Sequence, residues 1–256
     1  MITAECILKS KSSVSDSNIA SVVCVYPRYI HSQMMTHKRL SRNSQSSRAI
    51  PFAKLKEMRF EAPTFYANQA GMQPAQILEH KAQVTAQDRW NRAADKAFKQ
   101  AEKLAALGVH KQWVNRLVEP FTTITVLFTA TQDGWDSFFD VRCKEDVQSE
   151  TFDLADKIRT AIQTQAPQRS DLHLPFMSDL DRHGTTEDQM RVSAARCARV
   201  SYVNHHGVKD LYKDIMLSQR LLEDKHLSPF EHCAIAKSGR YANFLGWQNY
   251  RTQLGF

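Results

Sequence analysis

Between Pro74 and Leu107 the apolar residues Trp90, Ala93, Ala94, Ala97, Phe98, Ala101, Leu104 and Ala105 recur at intervals of three and four. That spacing lines them up on one face of an α-helix, and Gly108 supplies the stop. No other segment fixes its own conformation as firmly. Around it, Ile2–Lys9 and Ile19–Tyr26 are β-branched runs separated by the Ser-rich stretch from Ser10 to Ser17, which predicts two strands and a turn. Pro27 suits a helix start, with Ile30, Met34 and Met35 on one face.

Further along, His110–Val118 predicts a short helix and 147–165 a longer amphipathic one carrying Phe152, Leu154, Ala155, Ile158 and Ala161. Pro120–Thr131 is rich in Thr and β-branched residues, and its composition says strand while its length and flanks leave a helix open. The polar stretch 166–188, with Pro167, Pro175 and Gly184, is expected to be a long loop. Helices at Met190–Arg196 and Leu211–Glu223, a strand at Cys233–Ala236 and a helix at Asn243–Leu254 complete the reading. Trp113, Trp135 and Trp247 are expected in the core, Arg199–Tyr202 at a strand edge, and His205-His206 in a turn.

At 256 residues the chain can bury a full core; one domain spanning 1–256 is expected, two being the alternative. No window approaches the roughly 18 apolar residues of a membrane span, and nothing near Met1 has the pattern of a secretory signal. The five scattered cysteines (Cys6, Cys24, Cys143, Cys197 and Cys233) make no Cys-x-x-Cys pair, so disulfides and zinc knuckles are not expected and a reducing, cytoplasmic setting is.

The charge is uneven. The net charge is +7, and from Ser17 to Lys56 there are seven Lys or Arg and no acid. Its centre, Thr36-His-Lys-Arg-Leu-Ser-Arg-Asn-Ser-Gln-Ser-Ser-Arg48, sets guanidinium forks among hydroxyls and amides, the natural partners of phosphate and of pyrimidine carbonyls. A small-molecule phosphate pocket and a nucleic-acid contact both satisfy that pattern. A second constellation, His226-Leu-Ser-Pro-Phe-Glu-His232, reads as a self-bonded turn, a cofactor contact or a metal site. Metal is disfavoured because no second ligand cluster accompanies it, and no metal site is expected. Arg116 and Arg142 taken alone are ordinary snorkelling cations. No cysteine sits in a Pro-Cys context, and Cys233, which follows His232, lies in a strand-like run, so thiolate attack on a pyrimidine ring is unsupported.

Together these pieces resemble the flavin-dependent thymidylate synthases. The hallmark of that family is a Pro-led helix with a Gln, then Arg-His-Arg, seven residues and a Ser; here Pro27, Gln33 and Thr36-His37-Lys38-x7-Ser46 keep the spacing. Its Arg-Val-Ser and His-x-Ser-Pro-Phe-Glu-His motifs appear as Arg199-Val200-Ser201 and His226–His232, and Arg116 before Pro120 and Val141-Arg142 match two further positions. Asn43–Pro51 and Asn243–Trp247 are similar to a divergent subgroup. The motif order is rotated, which requires the front and the back of the chain to meet. Thr36 and Lys38 replace the two hallmark arginines, Ser44 stands where the family has an acid, and Ala49 where it has Tyr.

The resemblance implies an α/β (α+β) fold with a mixed central sheet flanked by helices. It also implies conversion of dUMP to dTMP with methylenetetrahydrofolate as carbon donor and NADPH reducing a bound FAD. Gln33, Ser44, Ser46, Arg48, Arg116 and Arg142 would hold the nucleotide, with Ser46, Arg48 and Arg142 at the reacting base. Thr36, His37, Lys38, Arg39, Ser201, His226, Ser228 and Glu231 would hold FAD. A homotetramer with shared sites, and no nucleic acid or membrane partner, completes the expectation. The alternatives are a flavin- and folate-dependent hydroxymethylase of dUMP or dCMP, a flavoprotein shell without catalysis, and a nucleic-acid binder using 36–48.

Overall fold

The computed structural model describes residues 1–71, 76–144, 146–202 and 210–256. A hairpin opens the chain: strands β1 (Thr3–Lys11) and β2 (Asn18–Pro27) pair antiparallel. After the turn Arg28–Ile30 and the short helix α1 (His31–Met34), strand β3 (Ser41–Ser44) forms a sheet edge. Helices α2 (Phe52–Glu57), α3 (His80–Ala106) and α4 (Lys111–Arg116) then pack on each other through Leu55, Phe98, Ala101 and Val114.

Strand β4 (Thr123–Thr131) lies between β3 and β2, and all nine of its residues are buried. Covered on both faces, the strand has no solvent-facing side, and its Thr and β-branched composition alone left strand and helix open. Its two faces differ in chemistry. Ile124, Val126, Phe128 and Ala130 join the core formed by helices α5 (Gln132–Arg142) and α6 (Ser149–Thr164). Thr123, Thr125, Thr129 and Thr131 alternate with them and turn hydroxyls to the opposite side. Strand β5 (Gln168–Arg169) adds parallel to β1, giving the order β3-β4-β2-β1-β5.

A second, antiparallel sheet covers the hydroxyl face: β6 (Leu172–His173), β7 (Ala234–Tyr241) and β8 (Phe244–Asn249). Ile19 of β2 packs with Ala234, Ala236, Phe244 and Trp247 across this junction. Outside it lie helices α7 (Thr186–Ala198), α8 (Leu211–Glu223) and α9 (Tyr250–Gln253). Arg196, Arg199, Asp181 and Asp214 form a largely buried ion network that ties α7 to α8.

Two expectations fail. The 166–188 segment is not a long loop: it supplies β5, β6, the turn Asp179–Asp181 and the start of α7. Its anchors are the Asp171 carboxylate, which accepts the Ser13 N–H at 2.8 Å, and the fully buried His173. The segment 243–254 is mainly strand, because Phe244 and Trp247 turn inward while Gly246 adopts φ +77°; only its last residues form α9.

Smaller corrections follow the same logic. Met35 and Trp113 are exposed, the latter at 61%, while Trp135 and Trp247 are buried. Arg199–Tyr202 is a 3-10 turn rather than a strand edge. α3 begins at His80 rather than near Pro74, since 76–79 are non-helical and Ile77 bridges Tyr66; Pro74 itself and the His205-His206 turn lie outside the described residues.

Buried hydrogen bonds join the sheets. His173 lies between Ser10 Oγ at 2.9 Å and Ser21 Oγ at 2.8 Å. Ser21 Oγ meets Thr129 Oγ1 at 2.6 Å, and Thr129 Oγ1 meets His232 Nδ1 at 2.8 Å. Burial lowers both imidazoles to about pKa 3, helped at His173 by the neighbouring His232. An unfolded chain takes up these protons near pH 6.5, so the folded state loses stability as pH falls from about 6.5 toward 3, by up to about 1.4 kcal/mol per pH unit and histidine. Urea unfolding between pH 7 and 4.5 measures that slope, and His173→Gln is expected to reduce it.

The front and the back of the chain interlock at Gly246. Ser15 Oγ donates to Gly246 O at 3.0 Å and Ser17 Oγ to Leu245 O at 2.9 Å. A Cβ on Gly246 would stand 2.6 Å from Ser15 Oγ and 2.7 Å from Ser17 Cβ, on a left-handed backbone. Gly246→Ala is therefore expected to destabilise the protein by more than about 1 kcal/mol, read as a lower urea midpoint at unchanged m-value.

Candidate functional site

The basic loop and the late turn meet at one side chain. On β3, Ser41 and Asn43 face the second sheet, whereas Arg42 and Ser44 pair in register with Phe128 and Val126 and face the α5–α6 side. Asn43 is buried and donates to Cys197 O at 2.8 Å and Ser201 Oγ at 3.2 Å, while its Oδ1 accepts Ser228 Oγ–H at 3.3 Å. Ser46 N–H donates to Ser201 O at 3.1 Å. Arg199-Val-Ser, the Ser228–Glu231 turn and the 36–48 segment are thereby fastened to one strand edge. His232 closes the turn and keeps its buried Nε2 without a hydrogen-bond partner among the described residues.

Beside this edge lies a cleft of about 370 Å³, lined by Lys38, Arg42, Glu231, Asn243, Arg251 and Thr252 among others. Arg251 Nη1 holds the Glu231 carboxylate at 2.6 Å. Asn243 Nδ2 donates to Arg39 O at 3.1 Å and Ser41 Oγ at 2.9 Å, which keeps the β7–β8 turn against the basic loop. Three cations, one carboxylate and several amides make this a cleft for an anionic, hydrogen-bonding ligand. A larger hollow of about 540 Å³, lined by Arg59, Glu61, Ala62, Gln87 and Asn91, borders α3 and shares no residue with the motifs.

On the α5–α6 side a second group gathers around Arg142. Its Nε–H donates to His37 Nε2 at 2.7 Å, and one Nη reaches Gln33 O and Thr36 Oγ1 at 3.4 Å each. A guanidinium can only donate, so His37 accepts at Nε2 and, when neutral, carries its proton on Nδ1. Burial, then Arg142 and Arg42, depress His37 to about pKa 4. Its ring stands edge-on to Phe138 with centroids 4.9 Å apart. The Gln33 amide is engaged from both ends, donating to Gln148 Oε1 at 2.7 Å and accepting from Thr151 Oγ1 at 3.1 Å.

The remaining candidate residues are placed as follows. Lys38 and Glu231 line the common cleft. Arg39 turns toward α5, pairing with Asp133 at 3.6 Å. Arg48 and Arg116 stand exposed on either side of a braced loop: the Asn115 amide donates to Ser47 O at 2.6 Å and Ile50 O at 2.9 Å, and the Ser47 hydroxyl donates to Glu119. His226 is exposed at the end of α8 and is not among the cleft residues. Sequence reasoning missed Asn43 as a clamp, and missed Arg251, Asn249 and Thr252 entirely. Asn43 and Asn243 carried a signal in their subgroup motifs; Arg251 carried none.

Among the described residues no group of three or more His, Cys, Asp or Glu is placed to hold a metal ion, and no helix is long and apolar enough to cross a membrane.

Comparison with known proteins bears on the fold and the family. The solved UMP/dUMP methylase PolB from Streptomyces cacaoi bound with 5-Br UMP is similar at a TM-score of 0.52 and 16% identity, covering 63% of this chain and 88% of that one. The same methylase bound with 5-Br dUMP gives a TM-score of 0.49 at 16% identity, covering 63% and 89%. At that identity the likeness speaks for the fold, a mixed sheet flanked by helices. Among curated proteins none matches the chain. The family model described as thymidylate synthase complementing protein matches residues 4–168, from β1 through the edge strand β5. The chain belongs to that family, the flavin-dependent thymidylate synthases.

Proposed function

We propose that this protein methylates dUMP to dTMP, using methylenetetrahydrofolate as carbon donor and NADPH as reductant of a bound FAD. One observation carries the reading: Asn43 fastens the Ser201 and Ser228 turns to the basic loop, so that Lys38 and Glu231 line one cleft. The donor set fits a flavin dinucleotide. Lys38, Arg42 and Arg251 suit its diphosphate, and the Asn243 and Asn249 amides suit its sugar and ring edges. At about 370 Å³ the cleft is smaller than a dinucleotide, in keeping with a site completed by another copy in a homotetramer.

Bound flavin supplies hydride to the pyrimidine, so the protein needs no nucleophile of its own. The thiols agree: burial pushes Cys6 up to about 11 and also raises Cys24, Cys143 and Cys197. The task left to the side chains is to hold and polarise. Arg142, oriented by its bond to His37 Nε2, offers its remaining N–H groups to the base carbonyls. Ser44, Ser46, Arg48 and Arg116 surround the nucleotide, and Gln33 braces the Arg142 group from behind. The similar UMP/dUMP methylase PolB structure bound with 5-Br UMP favours a uridine nucleotide as substrate.

Purified protein is expected to be yellow and to turn over dUMP with methylenetetrahydrofolate and NADPH. Mass spectrometry of the products from dUMP, UMP and dCMP separates methyl from hydroxymethyl transfer and uracil from cytosine. A colourless protein that takes up no flavin, yet binds DNA with a steep salt dependence, would sink the reading.

Arg142→Ala is expected to lower turnover by about 10²–10³-fold, as loss of one transition-state donor does. The same change removes a cation from His37, so its pKa should rise from about 4 but stay below 6.5, because burial is the larger cause. An NMR titration of the His37 ring reads that shift directly.

A further inference from the structure

A buried carboxylate ends a line of side-chain amides that leads to the Arg142 group. Glu150, in the first turn of α6, is buried and accepts at both oxygens, from the Thr64 N–H at 3.0 Å and from Gln148 Nε2 at 3.0 Å. Gln148 Oε1 accepts in turn from Gln33 Nε2 at 2.7 Å, and Gln33 Oε1 accepts from the Thr151 hydroxyl at 3.1 Å. The main-chain carbonyl of Gln33 meets an Arg142 Nη at 3.4 Å and the Thr36 hydroxyl at 2.7 Å. The line therefore runs from Thr64, through the start of α6, to the residue that backs Arg142.

Every link has a direction, and the carboxylate sets it for all of them. A carboxylate only accepts, so Gln148 turns its NH2 to Glu150 and its oxygen to Gln33. Gln33 must then turn its NH2 to Gln148 and its oxygen to Thr151, whose hydroxyl can donate or accept. Neither amide enforces that order, because each fits the same space either way round. Burying a charge is costly, and a glutamine at 150 would fill the same volume, but it would reverse the line. The Thr64 N–H is fixed in the backbone and only donates, so it would hold the new amide by its oxygen and leave the NH2 facing Gln148. Gln148 and then Gln33 would each have to flip. Gln33 is half-buried, and its amide keeps one N–H and one oxygen lone pair beyond these bonds. A flip exchanges the two, so a ligand would find an acceptor where it had met a donor.

We propose that Glu150 is a positioning residue for the nucleotide: through Gln148 it fixes which end of the Gln33 amide donates. Gln33 as a nucleotide contact rests on the function proposed above, whereas Glu150, Gln148 and Thr151 are assigned by no family motif. The charge at 150 thus acts on the ligand without touching it.

Wild type, Glu150→Gln and the exchange variant Gln148→Glu/Glu150→Gln test this. In the exchange variant the amide at 150 donates to the carboxylate at 148, which accepts from Gln33 as before, so the original direction returns. Neutron diffraction from deuterated crystals separates an ND2 group from an oxygen. It is expected to show the Gln33 ND2 turned to residue 148 in wild type and in the exchange variant, and to Thr151 in Glu150→Gln. Calorimetry with dUMP should give a Kd raised about tenfold in Glu150→Gln and within about twofold of wild type in the exchange variant. A role confined to stability predicts otherwise, since the exchange variant loses the same carboxylate from 150 and would bind as weakly as Glu150→Gln. An unflipped Gln33 in Glu150→Gln, unchanged dUMP affinity there, or an exchange variant that does not recover would overturn the assignment. If Gln33 flips as stated while wild type binds no dUMP, the directed line stands and the thymidylate synthase reading falls.

Discussion

A shared hydroxyl holds this structure together. Thr129 Oγ1, in the middle of the fully buried β4, bonds both Ser21 on the neighbouring strand and His232 on the far side of the sheet interface. Through Ser21 the line continues to His173 and Ser10. In a low-dielectric interior such a chain is strong when every member is matched and costly when one is missing. It therefore fixes how the second sheet sits on the first. That position puts the Ser228–Glu231 turn within reach of Asn43, and the cleft exists only because of it.

The acids and bases are distributed to two ends. On the outer layer, Asp181 and Asp214 satisfy Arg196 and Arg199 among α7, α8 and the 179–181 turn, with Asp214 wholly buried. That network is closed and structural. On the α5–α6 side, Arg28, Arg42 and Arg142 form no ion pair among the described residues, and two histidines beside them are held neutral by burial and by those cations. The stretch from Ser17 to Lys56 contains no acid that could neutralise them.

Much of the architecture was legible because local pattern and tertiary role agree. The hairpin strands, α3 and α8 carry clean periodicities, and α8 runs from Leu211 to Glu223 as its sequence indicates. β8 was misread because Trp247 and Tyr250 mimic helical spacing, whereas a left-handed Gly246 and the inward Phe244 belong to a strand docked on another segment. β6 has two residues and no local signature; only the buried His173 defines it. The motifs named the segments that meet, but not what joins them. Asn43 looked like one more amide in a polar loop, and Arg251 like a surface cation, since the partners Ser228 and Glu231 of both are set by topology rather than by neighbours in sequence.

The clasp between Ser15 and Gly246 spans 231 positions of the chain. Contacts of such separation form late, because the loop they close must first be organised at an entropic cost. While the polypeptide emerges from the ribosome, β1, β2 and β4 are complete long before β8 exists, and their threonine-lined face waits uncovered. The segment that seals that face also brings Asn243 and Arg251 to the cleft. Newly made protein thus completes its cleft in the same closing event that covers its threonine-lined face, and a nascent chain stalled before β8 has that face bare and the cleft unformed.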